Sequence, residues 1–144
     1  MLLQIRVSVQ SMLAKREHSK RELLRKLTQK GFEQALITDV VAELQAENLQ
    51  SDARFCEMLI RSRCGKGYGR NRIKMELAEH QIADDIAKQA LLHCEVDWFA
   101  LCAEVFAKKF KGQVATDWKA RQKQMRYLTY RGFSQEEISA AIGE

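Results

Sequence analysis

The hydrophobic residues in the first third of the chain recur with the period of amphipathic helices. Ser19 and Glu22 have the spacing of a capping box, and Gly31 can close a helix in the left-handed conformation. We therefore expect a helix A over about 20–30. A second apolar stripe, at positions i, i+1, i+4, i+5 and i+8, predicts a helix B: Leu36, Ile37, Val40, Val41 and Leu44.

A third helix and a second set of three helices follow the same pattern. Ser51 or Asp52 can cap a helix C that ends at a glycine-rich turn. The pattern then predicts a second helix A at about 70–80, a helix B near 83–93 and a helix C at about 96–110. The second helix C is the most aromatic part of the chain, and core packing explains its large residues better than base stacking does: Trp98, Phe99, Leu101, Val105 and Phe106.

The two ends of the chain are less regular. Ser134 and Glu137 form another capping box, with Phe133 and Ile138 spaced as a hydrophobic staple, and one short helix follows. Residues 5–16 predict an extra N-terminal helix that covers the first repeat, although their first five letters, IRVSV, alternate like a strand.

Three segments are copies of one unit. ELLRKLTQKGF, RIKMELAEHQI and KQMRYLTYRGF align with leucines at 27, 77 and 128, so the period is about 50 residues. Such a period is typical of stacked units that share a core. We therefore expect an all-α protein of about three tandem three-helix repeats, forming an elongated, curved helical module. The expected domains are residues 1–66 (cover helix and first repeat), 67–113 (second repeat) and 114–144 (third, shortened repeat).

Composition agrees with this fold class and indicates an anionic partner. Proline is absent and glycine occurs only seven times, while strong helix formers dominate. The formal net charge is +5, which favours nucleic acid or an acidic protein surface. No apolar run reaches the roughly 20 residues of a membrane helix, and the N-terminus lacks the apolar core of a signal peptide. We expect a cytosolic protein with no membrane partner.

The cysteines and histidines predict no metal site and no catalytic site. Cys56 and Cys64, like Cys94 and Cys102, are eight residues apart, or about 12 Å within one helix. Neither pair can share a metal in that way, and the three histidines form no ligand ladder. We expect four reduced cysteines on packed faces. No nucleophile with a base, and no carboxylate pair among apolar residues, is recognisable, so we expect neither an enzyme nor a cofactor.

The stretch CGKGYGRNRIKMEL, residues 64–77, could be a phosphate-binding loop or a turn between helices. A P-loop requires a Ser/Thr after its Gly-Lys and a strand before it, and neither is present. The expected structure is therefore helix, turn, helix. Gly67 and Gly69 would leave the first N–H groups of the next helix open, which makes this helix start a candidate site for an anion or carboxylate.

Two acid-free segments concentrate the positive charge. The first runs from Met58 to Met75 and the second from Trp118 to Gln135, whereas residues 33–57 and 76–97 each carry six acidic residues against one basic residue. Basic and acidic segments that alternate along repeats form an extended basic surface, which suits a repetitive polyanion or a filament of repeating subunits. The alternative is that these side chains only solvate helix faces. The predicted partner-binding residues, with those of the glycine turn, are Arg61, Arg63, Lys66, Gly67, Tyr68, Gly69, Arg70, Arg72, Lys74, Lys119, Arg121, Arg126 and Arg131.

Within the first cluster, the basic residues at the helix start should lie away from the core. Ile73 and Leu77 must be buried if the helix is amphipathic. By helical spacing Arg70, Arg72 and Lys74 cannot all share that buried face, so we expect them to be mostly exposed.

Four motifs resemble the RecX family, the regulators of the bacterial recombinase RecA: SKRELLRKLTQKGF, LQSDARF, GYGRNRIKMEL and YRGFSQEEI. The resemblance covers nearly the whole chain. It implies three-helix repeats, binding to RecA and its nucleoprotein filament, and weaker, non-specific binding to single- and double-stranded DNA by a monomer. Arg70 stands where the family commonly has proline, and Gln81 where it has glycine.

The implied mechanism is binding without chemistry. A helical module would lie in the groove of the RecA filament and inhibit its ATPase, its growth and strand exchange. The alternative is a sequence-specific helix-turn-helix protein that reads DNA with helix A of the middle repeat. Against it, Glu76 and Glu79 follow the basic residues of that helix, and no Asn or Gln forms a base-reading row with them.

Overall fold

The computed structural model describes residues 1–143 and is all-α over that range, with no strand. The all-α class predicted from the sequence is confirmed. The helices are α1 (Leu2–Lys15), α2 (Lys20–Gln29), α3 (Gln34–Ala46), α4 (Asp52–Gly65), α5 (Arg70–Glu79), α6 (Asp84–His93), α7 (Trp98–Phe110), α8 (Trp118–Arg131) and α9 (Gln135–Ile142).

Local signals in the sequence set several helix ends. In the capping box of α2, the Ser19 hydroxyl accepts from the Glu22 N–H and the Glu22 carboxylate accepts from the Ser19 N–H, both at 3.1 Å. Ser134 and Glu137 form the same box at α9. After α8, Gly132 is left-handed at φ 103°. The N-terminal helix is also confirmed, since the alternating segment IRVSV lies inside α1.

The first compact unit comprises residues 1–58 and 77–90. Its core is formed by the apolar faces of α1, α2 and α3, and eight of these side chains are buried: Ile5, Val9, Leu23, Leu27, Ile37, Val40, Val41 and Leu44. In the same unit Phe55 of α4 meets the His80 ring edge-on at 4.8 Å between centroids. Hydrophobic burial of the three amphipathic helices therefore organises this unit.

The second compact unit comprises residues 59–76 and those from 91 onward. The faces of α7, α8 and α9 share its core, which contains Cys102, Phe106, Leu128, Phe133, Ile138 and Ile142. Aromatic contacts continue from Phe106 to Phe110 and from Phe110 to Tyr127. Core packing thus explains Phe106, but that prediction is wrong for Phe99, which is 51% exposed at the start of α7.

No helix in the described part of the chain is long and apolar enough to cross a membrane. Where along the chain one repeat ends and the next begins stays a prediction from the sequence.

Candidate partner interface at the glycine turn

The segment between α4 and α5 is a tight turn, as its glycines predict. After α4 ends at Gly65, the N–H groups of Lys66 and Tyr68 both donate to the carbonyl of Arg63, and that of Gly67 donates to Cys64. These bonds use the last carbonyls of α4. No strand precedes the turn, so its geometry is that of a helix-to-helix connection.

The C-terminal end of α8 accepts hydrogen bonds from the N-terminal end of α5. The Gly69 N–H donates to the Arg131 carbonyl at 2.7 Å, and the Asn71 N–H donates to the Gly132 carbonyl at 3.0 Å. The expectation of open N–H groups at this helix start is therefore wrong for both residues. The carbonyl end of α8 therefore meets the N–H end of α5, which places opposite ends of the two helix dipoles next to each other.

Two glycines make this approach possible. A Cβ atom on Gly69 would lie 2.6 Å from the carbonyl carbon and oxygen of Gly132. A Cβ atom on Gly132 would lie 2.5 Å from the Cβ of Arg72. Any larger residue at either position would push the two backbones apart. Gly69 and Gly132 are therefore packing residues of a junction between α5 and α8, here called the glycine junction.

Arg131 closes the glycine junction from the side. Its Nε donates to the Gly67 carbonyl at 3.1 Å, and its terminal nitrogen Nη2 donates to the Lys66 carbonyl. The guanidinium group also lies over the Tyr68 ring, 4.0 Å from its centroid, and that of Arg72 lies over the same ring at 4.8 Å. Both contacts are cation–π interactions within the fold.

Glu76 neutralises two further predicted cations. The Arg63 Nε lies 2.9 and 3.0 Å from the two carboxylate oxygens of Glu76, and the Arg72 Nε lies 3.4 Å from one of them. The Glu76 carboxylate is only 14% exposed. The expectation that Arg70 and Arg72 are mostly exposed is also wrong, since both are half-buried, whereas Lys74 is exposed as expected.

Four basic side chains of the first cluster stay available to a partner. Arg61, Lys66 and Lys74 are exposed and Arg70 is half-buried. None of the four forms an ion pair within residues 1–143. A partner can therefore meet these cations without displacing an acidic group of this chain.

In the second predicted cluster, on α8, two basic side chains likewise bind within the fold and two are exposed. Arg131 belongs to the glycine junction, and the Arg121 Nε donates to the Ala115 carbonyl at 3.1 Å. Lys119 and Arg126 are exposed. The structure thus brings Arg131 together with Gly67, Tyr68 and Gly69 of the first cluster.

A cleft of about 390 Å³ adjoins the glycine junction within the second unit. Its walls come from the end of α4, from α7 and from α8, and Leu101, Val105 and Tyr127 supply apolar surface. Lys108 and Lys109 of α7 join Lys66 and Arg131 around it. These two lysines were not predicted as binding residues, because they lie outside both acid-free segments; their adjacency at the end of α7 was the available signal.

The thiols are not arranged as nucleophiles or metal ligands. All four cysteines are free, and Cys56 and Cys102 are buried. Burial, with a smaller contribution from Cys94, raises the pKa of Cys64 to about 11. Burial likewise raises the pKa of Cys102 to about 12. In the described residues, no three His, Cys, Asp or Glu side chains are grouped to hold a metal ion.

Three family models match consecutive parts of the chain. They describe the first, second and third three-helix domains of RecX and match residues 8–44, 51–91 and 95–142. The tandem three-helix organisation predicted from the 50-residue period is confirmed.

Curated proteins named "Regulatory protein RecX" align over most of the chain. The protein of Pseudomonas putida (strain GB-1) is 42% identical over 138 residues, which cover 96% of this chain and 88% of that protein. The protein of Mannheimia succiniciproducens is 40% identical over 92% of this chain and 88% of its own length. The relative from Serratia proteamaculans is 36% identical over 90% of each. These relatives are named regulators, not enzymes.

Two solved structures have the same fold. One, titled "Crystal structure of regulatory protein RecX", superposes with a TM-score of 0.83 at 16% identity, covering 99% of this chain and 72% of the other. The second, RecX from Lactobacillus salivarius, has a TM-score of 0.76 at 22% identity, covering 99% of this chain and 94% of its own. At these identities the likeness concerns the fold.

Proposed function

Because the chain belongs to the RecX family, we propose that it is a regulator of the recombinase RecA. It binds the RecA filament on DNA and inhibits ATP hydrolysis, filament growth and strand exchange. It also binds DNA itself, more weakly and without sequence preference, and it acts as a monomer in the cytosol.

The observation that carries this proposal is the set of accessible cations next to the glycine junction. Arg61, Lys66, Arg70 and Lys74 lie within one compact unit, on either side of one turn, without acidic partners in the described chain. A surface of this kind attracts an anionic partner and accelerates its association. The whole chain adds a net charge of +5 to this attraction.

The mechanism is steric and electrostatic. A regulator that occupies sites on the filament prevents the addition of RecA subunits and the approach of a second DNA molecule. In this mechanism inhibition uses binding energy and no chemical step, which agrees with the raised pKa values of Cys64 and Cys102 and with the pairing of the Glu76 carboxylate.

A sequence-specific helix-turn-helix protein is less compatible with the contacts of α5. The recognition helix of such a protein presents side chains at its start to base edges. At the start of α5, the Arg72 guanidinium contacts both the Glu76 carboxylate and the Tyr68 ring. Of the three cations at the start of α5, one is therefore held within the fold, which leaves Arg70 and Lys74 with Asn71 for base reading.

The test reverses three cations that have no partner in the fold. We expect the variant Arg61→Glu/Arg70→Glu/Lys74→Glu to melt within a few degrees of the parent, because no ion pair is lost. It should no longer inhibit the DNA-dependent ATPase of RecA, because a six-unit change of charge repels an anionic partner. Circular dichroism melts and ATPase assays at matched concentrations measure the two effects.

A charge-matched control separates local from net charge. Lys15, Arg21 and Arg25 are exposed cations of α1 and α2 in the other compact unit. The variant Lys15→Glu/Arg21→Glu/Arg25→Glu has the same net charge and should still inhibit RecA. If the first variant folds and inhibits like the parent, its cations are only a solvated surface and this site is wrong. A parent protein that never inhibits RecA would contradict the proposed function itself.

A further inference from the structure

Helix α8 carries a row of exposed side chains, of which only Lys119 and Arg126 were predicted from the sequence to bind a partner. Lys119, Lys123, Arg126 and Tyr130 recur at i, i+4, i+7 and i+11, a spacing that places all four on one side of a helix. All four are exposed, and Tyr130 is 81% exposed. The opposite side of α8 is buried through Gln124 and Leu128. This row is called the α8 stripe.

We propose that the α8 stripe is the surface that binds single-stranded DNA, with the three cations on successive phosphates and Tyr130 stacked on a base. The inference rests on the DNA-binding part of the proposed function. It goes further in assigning the contact to one face of one helix, and in adding Lys123 and Tyr130 to the contact while removing Arg121 and Arg131.

The charges of the stripe are unopposed. Helix α8 contains no acidic residue, and none of the three cations forms an ion pair within the described residues. By contrast, Arg121 and Arg131 on the same helix donate to backbone carbonyls of the fold. The cations that α8 offers to a ligand are therefore those on its outward side.

The spacing fits a strand of nucleotides. Lys119 and Tyr130 are separated by eleven residues of helix, or about 16 Å along the axis, the length of about five stacked nucleotides at 3.4 Å each. Cations spaced along a line match the evenly spaced charges of a phosphate backbone.

Tyr130 distinguishes nucleic acid from an acidic protein surface. The Tyr130 ring is 81% exposed to water. Stacking on a base would remove its apolar face from water, which is favourable. Bases are available for stacking in a single strand, whereas in a duplex they are already stacked. An acidic polypeptide would use the cations but would give the ring no comparable partner.

The test measures binding of the free protein, without RecA, to two fluorescent 20-nucleotide strands, one of thymidines and one abasic with the same phosphates. For Lys119→Gln/Lys123→Gln/Arg126→Gln we expect at least a tenfold weaker affinity for both strands. The slope of log affinity against log salt should shrink by about 2, since each of three lost contacts contributes about 0.7. Glutamine keeps the helix, which circular dichroism verifies.

The ring is tested separately. Tyr130→Leu should weaken binding to the thymidine strand at least fivefold and leave the abasic strand unaffected, whereas Tyr130→Phe should bind both like the parent. Lys15→Gln/Arg21→Gln/Arg25→Gln, with the same loss of charge, should retain most of the affinity.

Two outcomes overturn the inference. In one, the stripe variant binds no more weakly than the Lys15, Arg21 and Arg25 control. In the other, Tyr130→Leu weakens both strands equally, as expected if the ring supports the fold or meets an acidic peptide. A parent protein that binds neither strand contradicts the DNA-binding part of the proposed function. If the parent binds, and the triple glutamine variant and Tyr130→Leu bind as tightly as the parent, this inference alone is contradicted.

Discussion

The guanidinium groups of Arg131 and Arg63 are bound to other groups of the same chain. The Arg131 guanidinium donates to the carbonyls of Lys66 and Gly67, and that of Arg63 meets both oxygens of Glu76. An arginine with such fixed, planar contacts cannot turn to a phosphate without losing them. The count of basic residues in a segment therefore overstates the cations that a partner can reach.

Gln81 has a backbone conformation that favours glycine. It follows α5 with φ 55°, where Gly31 and Gly132 follow α2 and α8 with φ 91° and 103°. A side chain in this left-handed region costs about 1 kcal/mol relative to glycine. We expect Gln81→Gly to raise the free energy of unfolding by about 0.5–1 kcal/mol, measured by urea denaturation.

The reverse exchange is the control for this prediction. A Cβ atom on Gly31 would meet no atom within 4 Å, so Gly31→Gln adds backbone strain without a steric clash. It should lower the free energy of unfolding by about 1 kcal/mol. If Gln81→Gly is instead destabilising, its side chain stabilises the fold by more than the strain costs.

At the level of helices, α5 and α8 depend on each other through the glycine junction. The last carbonyls of α8 accept hydrogen bonds from N–H groups at the start of α5, and neither set of groups has a partner within its own helix. The positive end of the α5 dipole is partly compensated by the negative end of α8. This arrangement stabilises the fold and leaves less positive potential for an anion at that helix start.

Because the backbones approach closely at the glycine junction, we expect one added methyl group there to lower the free energy of unfolding strongly. In Gly69→Ala the new Cβ would overlap the Gly132 backbone at 2.6 Å, so we expect a loss of about 1–3 kcal/mol or more in the free energy of unfolding. Gly65→Ala, four residues earlier, meets nothing within 4 Å and should be neutral or slightly stabilising. Equal denaturation midpoints for the two variants would contradict the close approach.

Helix positions could be predicted from the sequence because their signals are local. Four predicted helices, at 20–30, 70–80, 83–93 and 96–110, lie within two residues of the observed ends. The capping boxes at Ser19 and Ser134 were recognisable for the same reason. The partner of α5 was not, because the Gly132 carbonyl that fills its start lies far along the chain.

On the scale of the whole molecule, charge is where sequence reasoning was least complete. It predicted two basic clusters, but it could not show that Glu76 would be shared by Arg63 and Arg72. Such pairing depends on how the helices pack against one another, which the hydrophobic periodicity of each helix does not show. It also missed Lys108 and Lys109 beside the cleft, since that neighbourhood arises only when α7 and α8 pack together.

The total charge predicts how DNA binding responds to salt. If about three to six of the accessible cations neutralise phosphates, log affinity for a single strand should fall with log salt at a slope of about −2 to −4. The slope should be the same for DNA strands of unrelated sequence. Fluorescence anisotropy between about 50 and 200 mM salt, a range over which such affinities change strongly, tests this. A slope near zero, or strong preference for one duplex, would favour the helix-turn-helix alternative.

The glycine junction also affects the order of events during synthesis. Arg131 and its acceptor on Gly67 are 64 residues apart, and at about 5–20 residues per second the ribosome needs roughly 3–13 s to make the segment between them. During that interval the N–H groups at the start of α5 have no partner from α8. The hydrogen bonds at the start of α5 are therefore completed only after α8 emerges from the ribosome, and until then we expect this turn to be open to cellular proteases.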